Sequence, residues 1–543
     1  MAKCIQQDGE FSVLEAKLTR CWKSDHAIYE IEIKSKENDI CWSFSKRYSE
    51  FLQLHESLCK IDDSLKQIYF PPKKSFNNLS IKFLCKRRQE LEEYLNILLK
   101  KFPIPPASLG NFIDWNQYEI HGITNNLARK FFQNGDLIIK EGFQFEFSVL
   151  QIYSINQRLQ SQSPTNLSND PSLDFVHVME FVGRVRNVKV TGSSSAVGTS
   201  NIVMNKLELD MSRFHSVDKL EMTNVNLKYM RGFENLKETV KLMKVSSSLY
   251  SVKLLAIGDL LSIGNGDWVF GRDSVPTNCW LKVEHLDLSN NFLQGLDPSM
   301  TLFKKVRTVK LNNNLLVDVQ HLDILENLRV LNLSQNKLGL LYTSSNRIPE
   351  PTLRGRLGNI TDLDLSYNEL CSARLVEGLY SLIKLNLGGN KIEEIEELES
   401  LATLQCLESL ILLGNPICIK SGYRKSTLEL FGERFNEIKL DLRAADEIEF
   451  RQLQASISES IILKNKFQNE ICRNNANNEG NASILSTIFN NNNQTNKQPA
   501  YPTDGCTNCA SRTLLSSYFD KEDASPVNLE VSLESDVNEI IIF

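Results

Sequence analysis

Six stretches of this 543-residue chain share one spacing: an apolar residue at positions 1, 4 and 6, asparagine at 9, and an apolar residue at 11. They are Val283-Leu286-Leu288-Asn291-Leu293, Val306-Val309-Leu311-Asn314-Leu316, Leu328-Leu331-Leu333-Asn336-Leu338, Ile360-Leu363-Leu365-Asn368-Leu370, Leu382-Leu385-Leu387-Asn390-Ile392 and Leu407-Leu410-Leu412-Asn415-Ile417. Successive asparagines stand 23, 22, 32, 22 and 25 residues apart, so the one long interval holds a loop, placed in Tyr342 to Gly355. A unit this short cannot bury its own apolar face, so neighbours must stack into a capped solenoid. Positions 4 and 6 flank one outward residue on a short strand and point into the core. Asparagine at 9 ends the strand, where its amide bonds backbone groups that the bend leaves unpaired.

The pattern resembles the leucine-rich repeat. After Pro416 the stretch GYRKSTLELFGERFNEIKLDL reads as a helical C-terminal cap built on Tyr423 and Phe431. Upstream, VRNVKVTG and VDKLEMTNVNL read as degenerate coils, which starts the solenoid near residue 173 and ends it near 450. Outward strand positions are mostly polar, as in His285, Asp287 and Ser289, but in the last repeat they are Ser409, Ile411 and Leu413. Two large apolar side chains aimed at solvent imply a partner-binding patch or a surface under the cap helix.

The amino-terminal part has a different texture. Residues 10–18, 27–35 and 40–45 alternate like strands, and a helix from about Ser49 follows the junction Lys46-Arg47-Tyr48-Ser49-Glu50-Phe51. Next come Phe70-Pro71-Pro72-Lys73-Lys74 and a second helix, Lys82 to Lys101. Nine basic residues face three acidic ones between Lys66 and Lys101, inside a chain of net charge −6. Basicity so local suits a small anionic target such as a phosphorylated headgroup, or an anionic membrane face, and argues against non-specific nucleic-acid binding. Leu84, Leu91, Leu95 and Leu98 mark the buried stripe of the second helix, and Arg87 lies along it. A guanidinium on an inward face needs acceptors. A phosphoinositide pocket supplies them in the geometry its planar fork prefers; otherwise Arg87 snorkels out beside Arg88 or pairs with a local carboxylate. Phe76 and Leu79, flanked by Lys73, Lys74 and Lys82, either dip into a bilayer interface or pack under their own loop.

Taken together, these motifs resemble the PX (phox homology) domain, a phosphoinositide-binding module. The resemblance implies that Arg47 grips the 3-phosphate, Tyr48 carries the inositol ring, Lys73 meets the 1-phosphate and Arg87 bonds the 4- and 5-hydroxyls of phosphatidylinositol 3-phosphate. A PX unit followed by helices and then short repeats is similar to the nischarin, or imidazoline-receptor-related, family. KRYSEF, PPKK, YEIHGIT, the GTSN of Gly198–Asn201, LGNITDLDLSYN, LYSLIKLNL and FGER carry that likeness. It implies recruitment to endosomes, and partners among integrin α tails, Rac and p21-activated kinase.

The expected architecture is an α+β PX domain (small antiparallel sheet with helices) over 1–115 and a helical linker over 116–172. An α/β leucine-rich-repeat solenoid with its cap follows over 173–450, then a largely disordered Asn-rich and acidic tail over 451–543. The tail cannot bury enough apolar surface to offset its ordering entropy. No run approaches a membrane span and MAKCIQQDGEF lacks an apolar leader core, so the expected setting is cytoplasmic, with peripheral attachment to endosomes. The twelve scattered cysteines fit free thiols. Thr191 to Gly198 lacks the Lys-Ser/Thr of a phosphate loop and reads as a flexible loop. Cys506 and Cys509 form one CxxC without the second ligand pair that zinc needs. Glu539 to Phe543 weakly fits a PDZ ligand. The expectation is therefore a non-enzymatic adaptor without metal or cofactor, its PX unit for address and its repeats for partners; alternatively it is a scaffold whose PX unit does not bind lipid.

Overall fold

Strict alternation of apolar residues builds the first sheet. In the computed structural model, which describes residues 14–23, 26–36, 39–73, 80–161, 170–255, 279–339, 357, 359–459, 462–463 and 466, β1 (Leu14–Lys23), β2 (Ala27–Ser35) and β3 (Cys41–Arg47) form an antiparallel meander. Its inward row, Ala16, Leu18, Tyr29, Ile31, Ile33 and Trp42, is buried beside α1 (Tyr48–Cys59) and α2 (Ile81–Lys101). Leu84, Leu91, Leu95 and Leu98 of α2 are all buried. Polar residues of the same helix serve the outer edge of β1. Asn96 accepts from the Ala16 N–H at 2.9 Å and donates to its carbonyl at 2.7 Å, while Glu92 accepts from the Leu18 N–H at 2.8 Å. An edge strand left bare would invite another chain.

Then come α3 (Ala107–Phe112), α4 (Trp115–Tyr118) and α5 (Ile120–Glu141), followed by β4 (Phe145–Ser148), α6 (Val149–Gln160) and α7 (Val176–Arg184). Here the expected helical linker needs correction, because β4 pairs in parallel with β5 (Asn187–Thr191) and forms one end of the long sheet. The cause is an aromatic cluster. Phe145 and Phe147 point inward around Glu146, and Phe131 of α5 stacks on Phe181 of α7 at 3.8 Å between centroids, 5.0 Å from Phe145. These helices and β4 close the solenoid's amino-terminal end, so the repeat body begins well before residue 173.

Beyond β5 lie β6 (Leu209–Asp210), β7 (Lys219–Thr223), β8 (Met230–Arg231), α8 (Glu234–Thr239) and β9 (Leu242–Ser246). The six motif copies supply β10 (His285–Asp287), β11 (Thr308–Lys310), β12 (Val330–Asn332), β13 (Asp362–Asp364), β14 (Lys384–Asn386) and β15 (Ser409–Ile411), with α9 (Tyr423–Glu429) and β16 (Lys439–Leu440) after them. Among the described residues the long sheet has eleven strands, ordered β16-β15-β14-β13-β12-β11-β10-β9-β7-β5-β4.

The asparagines staple one coil to the next. Asn368 donates to the carbonyl of Leu365 in its own coil and of Leu333 in the coil before, both at 3.0 Å, and accepts from the Leu338 N–H at 3.1 Å. Asn314, Asn336, Asn390 and Asn415 repeat that pattern. Immediately before each asparagine the backbone is left-handed, at Asn290, Asn313, Gln335, Tyr367, Gly389 and Gly414. Asparagine and glycine tolerate that conformation best, so Gln335 and Tyr367 are the odd members.

The cap closes on Tyr423, whose hydroxyl donates to Asp441 at 2.6 Å, and on buried Phe431. Arg424 donates to the carbonyls of Leu440, Arg443 and Ala444 and pairs with Glu449 at 2.8 Å. The ordered body also passes the expected boundary at 450: residues 447–459 are helical and Leu453 is buried. The loop Tyr342–Gly355, residues 467–543, Cys506 with Cys509, and Glu539 to Phe543 lie outside the described residues.

Candidate functional site

The turn from β3 into α1 places Arg47 and Tyr48 side by side. Arg47 precedes the helix, its N–H donating to Glu50 at 2.7 Å, and its side chain is exposed at the helix N-terminus. That end of a helix favours anions. Tyr48 turns inward enough for its hydroxyl to donate to the Pro71 carbonyl at 2.7 Å, with its ring 5.9 Å from Phe70. Phe70 in turn stacks on His55 at 4.6 Å, and His55 shares a 2.8 Å hydrogen bond with the Tyr94 hydroxyl. Burial holds the His55 imidazole below its ordinary value, partly opposed by Glu56.

Arg87 is the centre of the arrangement. It is 5% exposed, so it does not snorkel out. Its guanidinium carbon lies 4.2 Å from the centroid of Tyr48 and 4.3 Å from that of Phe83, and Nη2 donates to the Pro72 carbonyl at 2.8 Å. A guanidinium has five N–H donors, and aromatic faces plus a carbonyl replace the carboxylate that a buried cation would otherwise need. Below it, burial pushes the Tyr29 phenol up, an effect the Arg87 charge partly offsets.

Lys73 follows this proline strap and is exposed, as is Lys82 in the first turn of α2. Neither they nor Arg47 has a carboxylate partner among the described residues. Lys74, Phe76 and Leu79 lie outside the described residues. Lys46, by contrast, turns toward Phe112 at 5.3 Å and Glu50 at 3.9 Å. One residue escaped the sequence reading. Strand register sets Trp22 opposite Ile28 and Ile28 opposite Arg47, so Trp22, 42% exposed, shares a cross-strand row with Arg47. Only the register could have revealed it.

The three residues that follow the stretch expected to be a flexible loop fasten this unit to the repeats. Residues Thr199–Asn201 line the free edge of β3: the Ser43 N–H donates to Thr199 O at 3.3 Å and the Asn201 N–H to Cys41 O at 3.0 Å. The Asn201 side chain accepts from the Cys41 N–H at 3.0 Å and donates to Asp39 O at 2.8 Å, and the Thr199 hydroxyl donates to Ser43 O. Gly198 is obligatory here, because its φ is +55° and a Cβ would stand 2.4 Å from the Tyr118 hydroxyl. Trp42 stacks on Tyr118 at 5.5 Å and donates to Ile113 O at 2.7 Å. On the repeat face, Ile411 is half-buried and Leu413 is 54% exposed, so α9 does not cover the latter.

Comparison with known proteins agrees with both parts. Residues 34–112 match the PX domain family and residues 282–301 match the Leucine Rich Repeat family. The chain is 30% identical over 223 residues to serine/threonine-protein kinase 11-interacting protein of Homo sapiens, covering 41% of this chain and 19% of that one. It is 36% identical over 75 residues to kinesin-like protein KIF16B of Homo sapiens, covering 14% of this chain and 6% of the relative. With sorting nexin-13 of Homo sapiens it shares 35% identity over 77 residues, covering 14% and 8% respectively. The chain therefore spans less than a fifth of the length of each of these relatives. One chain joins a PX domain, of a phosphoinositide-binding family, to a leucine-rich-repeat body of the kind that binds proteins.

Proposed function

We propose that this chain is a non-enzymatic adaptor whose PX domain binds phosphatidylinositol 3-phosphate on endosomal membranes while its repeats hold protein partners. The observation that carries the reading is Arg87, buried against the Tyr48 ring within the segment that matches the PX family. In this reading Arg47 meets the 3-phosphate, Tyr48 seats the ring, Lys73 meets the 1-phosphate and Arg87 turns its remaining N–H groups to the hydroxyls. Lys74, Phe76, Leu79 and Lys82, joined by Trp22, face the lipid surface. Among the described residues no helix is long and apolar enough to cross a membrane, and attachment through the headgroup is peripheral. The nischarin-like role, with integrin α tails, Rac and p21-activated kinase as partners, belongs to the same proposal.

A second reading is a scaffold whose PX unit does not bind lipid. It draws on the Arg87 bond to Pro72 O, which already occupies one guanidinium nitrogen. Co-sedimentation of the full chain with vesicles separates the two. Binding to vesicles doped with phosphatidylinositol 3-phosphate, exceeding binding to 4-phosphate or unphosphorylated vesicles, supports the first. Charge-assisted hydrogen bonds of ~1.5–3 kcal/mol make Arg47→Ala weaken it about tenfold or more. Equal or absent binding to all three vesicles leaves only the scaffold.

A further inference from the structure

On the outward face of the long sheet, one cross-strand row alternates in charge through the amino-terminal half. Lys189 pairs with Glu146 at 3.2 Å and Lys244 with Glu221 at 2.9 Å, and along the same row Asp287 and Lys310 continue the alternation. That alternation ends at β12. In the next strands the row reads Asn332, Asp364, Asn386 and Ile411. One oxygen of Asp364 takes hydrogen bonds from the Ser366 N–H and hydroxyl, and no cation pairs with its carboxylate among the described residues. Nearby Lys384 is engaged by Asp362 at 3.0 Å.

Large side chains follow on the same coil and two coils further on. The Tyr367 ring, 66% exposed, lies across Gly389, where a Cβ would stand 2.7 Å from Cδ1. A Cβ on Gly388 would lie 3.6 Å from Cγ2 of Ile411, so the ring, the two glycines and Ile411 form a continuous floor. Leu413 stands at its edge, its carbonyl accepting from the Gly389 N–H at 2.8 Å. Exposed contiguous apolar area rimmed by polar groups marks an interaction surface. Both Asp364 and the face of Tyr367 favour a cation.

We propose that Tyr367, Ile411, Leu413 and Asp364 form the partner-docking surface of the repeat body, and that its occupant is a short segment of another protein presenting an arginine or lysine beside an aliphatic residue. The aliphatic residue covers Ile411 and Leu413, and the cation sits between the Asp364 carboxylate and the Tyr367 ring. This inference rests on the adaptor reading only in taking the repeats as the partner-binding part; it is independent of the lipid.

Phage-displayed random 12-residue peptides, panned against the full chain and followed by titration of the leading synthetic peptide, test it. The expected consensus pairs a basic with an aliphatic residue. Asp364→Lys and Leu413→Asp should each weaken the leading peptide at least tenfold. Tyr367→Asn serves as the variant safest for folding, since asparagine holds the same left-handed position at Asn290 and Asn313, and it should weaken binding several-fold. No enrichment, an acidic consensus, affinity indifferent to all three changes, or sedimentation showing two copies of the chain joined through this face would each overturn the proposal. Binding to 3-phosphate vesicles, measured on the same variants, reports separately on the PX reading.

Discussion

Arg87 holds its guanidinium carbon 4.2 Å from the centre of the Tyr48 ring, and the two side chains grip adjacent carbonyls, Pro72 O and Pro71 O, at 2.8 and 2.7 Å. Proline has no N–H, so this strap cannot join a sheet ladder, and these side chains fix it to the helices. Lys73 is placed by the same two bonds. Replacing Arg87 by lysine keeps the charge but loses the planar fork and its stacking. Arg87→Lys should lower affinity for 3-phosphate vesicles about tenfold and reduce the melting temperature. Tyr48→Phe keeps the ring and loses only the bond to Pro71, about 0.5–1.5 kcal/mol of stability, with a smaller effect on vesicle binding. An Arg87→Lys protein with native affinity would limit the guanidinium to holding the strap.

Trp22 offers a way to separate headgroup from bilayer. Its indole shares a cross-strand row with Arg47 yet remains well exposed, and an amphipathic ring of this kind gains by entering a membrane interface. Burial worth on the order of 1–2 kcal/mol corresponds to roughly tenfold in vesicle affinity. Trp22→Ser should show that loss in vesicle co-sedimentation while leaving affinity for soluble inositol 1,3-bisphosphate unchanged by calorimetry. Parallel losses in both assays would place Trp22 in the fold of the headgroup site instead of at the bilayer.

Where one local spacing determines structure, the sequence was sufficient: each of the six asparagine motifs became a strand followed by a buried staple. The two helices of the PX unit were equally readable, because an apolar stripe has one period whatever packs on it. Two features were not. The four residues of β4 are too short for alternation to register, and they pair because Phe131 and Phe181 complete an aromatic core from distant helices. The Thr199–Asn201 clasp joins residues about 160 positions apart, and it directly follows a Ser/Gly-rich stretch that reads as a flexible loop, so nothing local marks it until the bare edge of β3 is known. At the site, residue types marked Arg87 as special, yet its partners are backbone carbonyls, which leave no trace in residue identity.

That clasp predicts a measurable coupling between the two domains. Among the described residues, the partner of the Cys41 N–H and of the Asp39 carbonyl is the Asn201 amide. Deleting its amide strands both groups, at about 1–3 kcal/mol for a poorly solvated one and less where water enters. Asn201→Ala should accelerate amide hydrogen exchange at Cys41 and Ser43 at least tenfold, with the strands from β10 to β15 unaffected. Unchanged exchange along β3 would mean that the Trp42–Tyr118 stack and the backbone bonds hold the edge without it.

His121 gives the fold a pH dependence of definite sign. It lies at the start of α5, where burial and then the Arg158 charge push its imidazole down to about 4. Arg158 is itself 1% exposed, donating to Thr124 Oγ1 at 2.6 Å and Asn125 Oδ1 at 2.8 Å. An unfolded chain protonates His121 near its ordinary value of 6.5, so between pH 6.5 and 4 the unfolded state binds more protons. Stability from the neutral ring is thus fully present above pH 6.5 and is lost progressively as the pH falls toward 4. By pH 5 the loss is on the order of 2 kcal/mol. Carboxylates add their own acid sensitivity, but they are common to wild type and a His121→Phe variant and cancel in the difference. Denaturant midpoints measured at pH 7.5 and 5.0 should fall further for the wild type than for the variant; parallel curves would show that the imidazole is already charged in the folded protein.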